Sequence, residues 1–217
     1  MNIYFGASGF AREVEWLADI LYCKNKVDYR PELFVTSDND NSVGSFLNDK
    51  KIISESDLFE NYLPGSHNYF VCVGDPSLKS KIVNMIKKES QTHAFPSLVH
   101  PDVSFDSRDG MVSFGNGVII CSKTVLTTNI KVEEFVHINI SSTVGHDCHL
   151  GRYSTVNPNV SISGSVRLGD CVYVGTGAVI LQGITICPGA VIGAGAVVTK
   201  AITEVGTYVG TPACKIV

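Results

Sequence analysis

The sequence lacks the marks of several protein classes. No uninterrupted apolar stretch approaches the ~20 residues that a membrane-spanning helix requires. Basic residues form no run longer than the pairs Lys50-Lys51 and Lys87-Lys88, and the net charge of the 217-residue chain is only −4. Basic clusters are typical of nucleic-acid-binding proteins, so we expect neither a membrane span nor a nucleic-acid partner.

A signal peptide and a disulfide framework are missing as well. Residues 1–6 run straight into a folded motif instead of a charged and then apolar leader, and a cytoplasmic location is the resulting expectation. The seven cysteines are odd in number, show no C-x-x-C pair and mostly have apolar neighbours. This pattern favours reduced cysteines that pack in the interior.

What the sequence does contain is a repeat of six residues. After Phe114, every sixth position through Val198 is Ile, Leu or Val, fourteen times in succession. The position two residues earlier in each hexad is small or apolar, so both positions should point inward. Three hexads then form one triangular coil that buries the apolar face of its neighbour. We predict a left-handed parallel β-helix of about five coils over 112–200.

The first hundred residues show a different pattern, in which strands and helices alternate. An apolar strand at 2–5 leads through a tight glycine turn into a helical pattern over 10–22. Further strands are predicted at 32–35 and 69–73. A helix starting after Pro76 should carry on its buried side Leu78, Ile82, Met85 and Ile86. This alternation predicts a small Rossmann-like parallel sheet.

The join between the two patterns is predicted at 93–109, a polar segment that includes Pro96 and Pro101. The expected domains are therefore an α/β domain over 1–100 and the β-helix over 101–217.

Five motifs occur in a characteristic order along nearly the whole chain. They are Gly6-Ala7-Ser8-Gly9, Val73-Gly74-Asp75, His100-Pro101, Val144-Gly145-His146-Asp147-Cys148 and Val209-Gly210-Thr211-Pro212-Ala213. In this combination they resemble the bacterial sugar O- and N-acetyltransferases of the sialic acid O-acetyltransferase and bacillosamine-pathway N-acetyltransferase type, within the hexapeptide-repeat superfamily. The resemblance implies an acyl-CoA-dependent enzyme that uses acetyl-CoA to acetylate a sugar.

The resemblance also implies that His146 is the catalytic base, since histidine can take a proton near neutral pH. His146 lies two residues after the inward Val144 and should project from a coil corner. In the family, the acidic residue at the position of Asp147 orients the histidine and raises its basicity. A surface His-Asp pair without a function is the plain alternative.

Further site residues follow from the resemblance. Gly164 matches the family's backbone N–H donor to the oxyanion of the tetrahedral intermediate. Family members often carry a second histidine nine residues beyond the base, where this chain has Thr155. Thr155 or Asn157 is therefore expected to supply the hydrogen bond to the acetyl group.

In this superfamily, coenzyme A lies in the groove between neighbouring β-helices of a trimer, so a homotrimer is implied. Small residues should flank its pantetheine arm, and lysines should meet its phosphates. The positions concerned are Gly175, Ala178, Gly193, Ala196, Lys200 and Lys215.

The glycine turn before the first helix offers N–H groups to a phosphate, and nucleotide-sugar members of the family hold uridine diphosphate there. The expected acceptor-binding residues are Ser8, Gly9, Phe10, Asp38, Gly74 and Asp75. The match is partial, because Phe10 replaces a histidine of several members and Thr36-Ser37 replaces an Asp-Asp pair. A UDP-linked, a dTDP-linked and a free sugar stay open as acceptors.

Other functions fit less of the sequence. Some left-handed β-helices are zinc enzymes with three histidine ligands, but His137, His146 and His149 lack their paired spacing, so no metal is expected. His137 is expected at an outward or subunit-interface position. Cys148 occupies an inward position of its hexad, which favours direct attack on the thioester over an acyl-enzyme.

The nature of the acceptor is left open by the sequence. N-acetylation of a nucleotide-linked 4-amino-4,6-dideoxy sugar for surface glycans is the leading hypothesis. The alternatives are O-acetylation of sialic acid or another glycan sugar, and a non-catalytic sugar-binding scaffold with the same fold.

Overall fold

The computed structural model describes residues 1–62, 66–90 and 92–216. The chain forms two compact units: the N-terminal unit comprises 1–74 and 78–96, and the C-terminal unit comprises 75–77 and 97–217. Within the described ranges, no helix is both long enough and apolar enough to cross a bilayer.

The N-terminal unit alternates strands and helices, as predicted. In chain order its elements are β1 Asn2–Phe5, α1 Gly9–Asn25, β2 Leu33–Thr36, β3 Phe46–Leu47, β4 Lys50–Ser54, α2 Glu55–Asn61, β5 His67–Val71, α3 Pro76–Glu89 and β6 His93–Ala94. The sheet order is β3-β4-β2-β1-β5-β6, with β1 at its centre and fully buried. All neighbouring strands are parallel except β3 and β4.

The chain reverses its direction of growth between β1 and β5. From β1 it builds the sheet outward through β2 to β4, and it then returns to add β5 on the other side of β1. The carboxyl ends of the strands at such a switch point are the usual ligand site of an α/β sheet.

The prediction for the second helix is wrong at Leu78, whose side chain is 46% exposed. The buried stripe of α3 instead runs through Lys79, Ile82, Val83 and Ile86, which are spaced i, i+3, i+4 and i+7. An apolar pattern could not reveal this stripe, because its first member is a lysine.

Sequence reasoning also missed the segment from β3 to α2. Asn48 and Asp49 have φ values of 43° and 65° and form the two-residue turn between β3 and β4, a conformation that these residue types tolerate. Helix α2 begins after Ser54, whose Oγ accepts a hydrogen bond from the Asp57 N–H at 3.1 Å.

The C-terminal unit consists of short strands on three faces. They are β7 Leu98–Val99, β8 Ser104–Phe105, β9 Val112–Phe114, β10 Ile119–Ile120, β11 Val125–Leu126, β12 Ile130–Val132, β13 His137–Ile138, β14 Thr143–Val144, β15 His149–Leu150, β16 Thr155–Val156, β17 Ser161–Ile162, β18 Arg167–Leu168, β19 Tyr173–Val174, β20 Val179–Ile180, β21 Thr185–Ile186, β22 Val191–Ile192, β23 Val197–Val198, β24 Thr207–Val209 and β25 Cys214–Lys215.

Each face is a ladder of strands from successive coils. Face one has the order β25-β24-β22-β19-β16-β13-β10-β7, face two β23-β20-β17-β14-β11-β8, and face three β21-β18-β15-β12-β9. Thr143 pairs in parallel with Ser161, eighteen residues on, so three hexads close one coil. The predicted left-handed parallel β-helix is confirmed.

The core of the β-helix follows the predicted hexad positions. All fourteen aliphatic positions of the repeat are at most 2% exposed. The positions two residues earlier are buried too, including the small or polar Thr124, Ser142 and Ser154. Their hydroxyls are accommodated because they donate to backbone carbonyls, as Ser142 Oγ does to Asn157 O at 2.9 Å.

Two features recur at the corners, and one of them turns the chain. A left-handed backbone conformation recurs every six residues, at Lys123, Asn129, Phe135, Ser141, Asp147, Tyr153, Asn159, Ser165, Cys171, Gly177, Gly183, Gly189 and Gly195. The glycine that often follows the aliphatic residue serves close packing instead. A Cβ on Gly145 would lie 2.6 Å from the Gly164 nitrogen of the next coil.

Candidate active site

His146 and Asp147 lie at the corner between faces two and three, in the turn that joins β14 to β15. Asp147 holds the left-handed position of this corner, with φ 62°, a conformation that aspartate adopts more readily than most residues. The two side chains are 52% and 48% exposed. Both are therefore accessible to a substrate.

The two side chains form a hydrogen-bonded pair. His146 Nδ1 lies 2.6 Å from Asp147 Oδ2. An ionised carboxylate can only accept, so Nδ1 carries the proton of the neutral ring and the Nε2 lone pair stays free. The hydrogen bond from His146 is the main reason that the pKa of Asp147 is lowered, followed by a hydrogen bond from Asn129.

Gly164 lies against the imidazole, one coil further on. A Cβ on Gly164 would come 2.5 Å from His146 Nε2 and 2.6 Å from Cε1. The ring can therefore occupy its position only because residue 164 has no side chain. Within the described part of the chain, no backbone carbonyl accepts the Gly164 N–H.

A pocket of about 340 Å³ adjoins this corner on face three and includes Asp147 in its wall. Its floor carries the outward residues of three paired strands, Lys131, His149 and Arg167. Glu133 Oε1 accepts hydrogen bonds from Lys131 at 2.6 Å and from His149 at 3.0 Å. These two contacts, with Lys131 first, lower the pKa of Glu133.

Sequence reasoning missed this row of basic residue types, Lys131, His149 and Arg167. Its members share one hexad position and recur every eighteen residues, which was the available signal, but they carry no motif that marks a site.

Comparison with known proteins places the chain in a family. Residues 165–200 match the family model described as bacterial transferase hexapeptide (six repeats). The GDP-perosamine N-acetyltransferase of Escherichia coli O157:H7 is 31% identical over 188 residues, which cover 85% of this chain and 80% of that protein. The chain belongs to the bacterial sugar N-acetyltransferases of the hexapeptide-repeat family.

Two solved structures resemble this acetyltransferase over its whole length. WeeI from Acinetobacter baumannii AYE is 32% identical, with a TM-score of 0.83 over 99% of this chain and 98% of that one. The acetyltransferase domain of PglB from Neisseria gonorrhoeae FA1090, solved in complex with acetyl coenzyme A, is 26% identical, with the same TM-score and coverage. The predicted family and enzyme class are confirmed.

Thr155 and Asn157, the two residues predicted to contact the acetyl group, differ in their surroundings in this acetyltransferase. Thr155 lies on face one and is buried, at 3% exposure. Asn157, at the following corner, donates its side-chain N–H to the Val174 carbonyl at 2.8 Å. The amide of Asn157 thus keeps its second N–H, a donor, and its oxygen, an acceptor, for a ligand.

Two residues predicted to flank coenzyme A are placed elsewhere. Ala178 and Ala196 are fully buried in the core of the β-helix, because each lies two residues before an aliphatic hexad position and points inward. Their side chains cannot meet a ligand in a surface groove, so this part of the prediction is wrong.

The remaining predicted cofactor residues lie at the corners or on the surface. A Cβ on Gly175 would meet the nitrogen of Ala194 at 2.6 Å, so this glycine is required by coil packing. Lys200 is exposed. Lys215 is also exposed and forms an ion pair with Glu204 at 3.1 Å.

The N-terminal unit brings the turn after β1 next to the end of β5. Gly6 has φ 109°, and a Cβ there would lie 2.8 Å from the Cys72 carbonyl. Ser8 occupies the N-cap position of α1 without a side-chain capping hydrogen bond, and Gly9 follows it. Gly74 is exposed, with no atom near the place of a Cβ.

The other predicted acceptor residues have varied settings. Phe10 is partly exposed on the first turn of α1, and Asp75 is exposed. Asp38 accepts two hydrogen bonds from Ser56, at 2.9 Å from the backbone N–H and 2.8 Å from the hydroxyl, which lower its pKa. The carboxylate of Asp38 thus already serves to anchor the start of α2.

Two histidines outside the His146–Asp147 pair have other surroundings. His137 precedes the inward Ile138 and lies on the outward side of face one, but its side chain is only 2% exposed. His149 bonds to Glu133. Among the described residues, no three His, Cys, Asp or Glu side chains gather as metal ligands would.

Proposed function

We propose that this enzyme transfers the acetyl group of acetyl-CoA to the amino group of a nucleotide-linked 4-amino-4,6-dideoxy sugar for surface glycans, with His146 as general base. The observation that carries the proposal is the exposed His146 ring. Its Nδ1 is bonded to Asp147, and its Nε2 is unbonded within the described chain. A ring held in this way is oriented and supplied with a free lone pair, as a base requires.

The reaction is a direct transfer. As the amine nitrogen attacks the thioester carbonyl, His146 Nε2 takes the proton that the nitrogen loses, and the carbonyl becomes a tetrahedral oxyanion. When the C–S bond breaks, the sulfur of coenzyme A leaves with the electron pair and receives that proton from the imidazolium. Asp147 stabilises the imidazolium between the two steps.

Gly164 is the proposed oxyanion donor. Its N–H has no backbone acceptor in the described chain and lies beside His146, and such a preorganised donor stabilises charge that develops in the transition state. Asn157 is proposed to donate its second side-chain N–H to the carbonyl oxygen of the acetyl group, and Thr155 to shape that region from its buried position.

The rest of the donor and acceptor sites is proposed from the family resemblance. Gly175 and Gly193 would border the pantetheine arm, and Lys200 and Lys215 would meet the phosphates. The segment 1–100 would bind the nucleotide sugar through Ser8, Gly9, Phe10, Asp38, Gly74 and Asp75. The chain over 101–217 would carry the acetyl transfer.

For the base of the acceptor nucleotide, we consider guanine in addition to the uracil and thymine that the sequence analysis considered. The Escherichia coli relative is named for GDP-perosamine. We place the reaction in the cytoplasm, where acetyl-CoA is available.

A homotrimer is proposed on the character of face two. The outward residues of its strands are uncharged, namely Ser104, Val125, Thr143, Ser161, Val179 and Val197. Face three, by contrast, presents Lys131, His149 and Arg167. An uncharged exposed face on a rigid β-helix is suited to packing against another copy, and three-fold closure would bury it on every subunit.

The test is release of free coenzyme A thiol from acetyl-CoA by the purified protein. The acceptor panel contains GDP-, UDP- and dTDP-linked 4-amino sugars and sialic acid. We expect turnover on one nucleotide amino sugar and its loss in His146→Ala. Turnover on sialic acid alone would contradict N-acetylation, and normal turnover by His146→Ala would contradict the assignment of the base.

A further inference from the structure

Asn129 lies one coil before the catalytic pair, at the same corner. Its side-chain Nδ2 donates to Asp147 Oδ1 at 2.5 Å. The backbones are tied at the same place, because the Asp147 N–H donates to the Thr128 carbonyl at 3.1 Å. The Asp147 carboxylate is therefore bonded on both oxygens, to His146 through Oδ2 and to Asn129 through Oδ1.

The conformation of the corner explains how this contact arises. Asn129 and Asp147 both occupy the left-handed position of their turns, with φ 53° and 62°. Equivalent positions in successive coils stack at the strand spacing of about 4.8 Å. A short amide side chain at 129 can then reach the carboxylate above it.

Two hydrogen bonds fix the orientation of the Asp147 carboxylate, which one hydrogen bond would leave free to rotate. Asp147 is half exposed, so with His146 as its sole partner the carboxylate could rotate about its last torsion and exchange that partner for water. The bond from Asn129 holds the plane of the carboxylate with Oδ2 towards Nδ1. This orientation keeps the proton of the neutral imidazole on Nδ1 and the lone pair on Nε2.

We propose that Asn129 is a positioning residue for acetyl transfer, acting on His146 through Asp147. The inference rests on the proposed role of His146. Asn129 touches neither the base nor, in this role, the substrates. Its removal should lower kcat and leave both KM values unchanged.

Asn129→Gly is the informative variant, because glycine adopts the left-handed conformation without strain and only the amide is lost. We expect kcat to fall about 10-fold. This is the lower end of the loss that follows removal of a residue that orients a metal-binding histidine. Asn129→Asp should be at least as harmful, because it replaces the donor by a second carboxylate. The matched control is Asn159→Gly, at an exposed corner position with φ 58°, which should keep normal kcat.

A double-mutant cycle separates positioning from a structural role. If Asn129 acts through Asp147, then Asn129→Gly should have no further effect on kcat in an Asp147→Ala background. An equal loss in both backgrounds would overturn the proposal. A raised acceptor KM at normal kcat would also overturn it, because it would place Asn129 in contact with the acceptor.

A second measurement does not depend on knowing the acceptor. Long-range proton–nitrogen correlation spectra report which nitrogen of His146 carries the proton. We expect a single tautomer protonated at Nδ1 in the wild type and in Asn159→Gly, and a mixture in Asn129→Gly. An unchanged tautomer in Asn129→Gly refutes the proposal. Absence of turnover by the wild type on every acceptor would refute the proposed function and leave this test valid.

Discussion

Gly164 supports the imidazole of His146 from the next coil, at a separation that leaves no room for a methyl group. The built Cβ would be 2.5 Å from Nε2, the atom proposed to take the proton. The backbone of Gly164 lies outside the left-handed region, so an alanine there meets no conformational barrier. Its one severe contact in this direction is with the imidazole of His146.

Gly164→Ala should therefore be a selective inactivating change. We expect kcat to fall at least about 100-fold, because displacement of a reacting group by about 1 Å has an effect of this size. The thermal unfolding midpoint should change little. Steady-state kinetics and calorimetry measure the two effects. Ser163→Ala, one residue earlier in the same turn, is the control with normal kcat, and near-normal turnover of Gly164→Ala would show that the ring does not need this position.

Cys148 should be dispensable for chemistry. Its side chain is buried, and burial is the main cause that raises the pKa of its thiol. Cys148→Ala should keep kcat within about threefold and lower the free energy of unfolding by about 0.5–3 kcal/mol, the usual range for a core substitution. Loss of turnover in a folded variant, together with an acetylated cysteine in the wild type by mass spectrometry, would contradict direct transfer.

The buried thiols also predict a dependence of stability on pH. Burial raises the pKa of Cys72 and of Cys148 in the folded protein. Above the ordinary thiol pKa of about 8.5 the unfolded chain loses these protons while the folded protein retains them. The contribution of these two thiols to the free energy of unfolding should therefore be fully present below pH ~8.5 and be lost as the pH rises beyond it.

Urea unfolding between about pH 7.5 and pH 9.5 measures this slope. Cys72→Ala should flatten it, because the substitution removes one of the two groups. Cys23→Ala, whose thiol is exposed, should leave the slope unchanged. An equal slope in Cys72→Ala and the wild type would contradict the prediction.

A charge on face two should prevent assembly. Val179→Arg places a cation on the proposed subunit interface, and burying it without a partner is costly. We expect a monomer by size-exclusion chromatography with light scattering, and a lower kcat because the proposed coenzyme A groove lies between subunits. Thr185→Arg makes the same change on face three and should leave the oligomer intact. A Val179→Arg protein that assembles like the wild type would show that face two is not the interface.

How far the sequence predicts the fold differs between the two units. In the C-terminal unit, the sequence of each hexad shows which positions point inward. The aliphatic residue of every hexad from Ile120 to Val198 is buried, as the six-residue period requires. In the N-terminal unit, the strand at 2–5 and the helix after it were predictable from apolar spacing. The β3 to α2 segment was not, because it is short, exposed and rich in turn residues.

The candidate site shows the same division. His146 and Asp147 were recognisable because they are adjacent within a motif. Asn129 was not, because its importance comes from a contact eighteen residues away, and neither was the face-three row of Lys131, His149 and Arg167. Ala178 and Ala196 were wrongly predicted because small size was weighed and inward direction was not.

The sequence by itself determined the β-helix and which positions of each hexad point inward, because an aliphatic residue at every sixth position can be buried only when three hexads close a coil. It also identified the His-Asp pair, because the two residues are adjacent within one motif. Only the tertiary structure decided which side chains meet across coils. Asn129 reaches Asp147, and Gly164 makes room for His146. Such contacts depend on the left-handed corners and on side-chain direction, which a repeat of apolar residues does not encode.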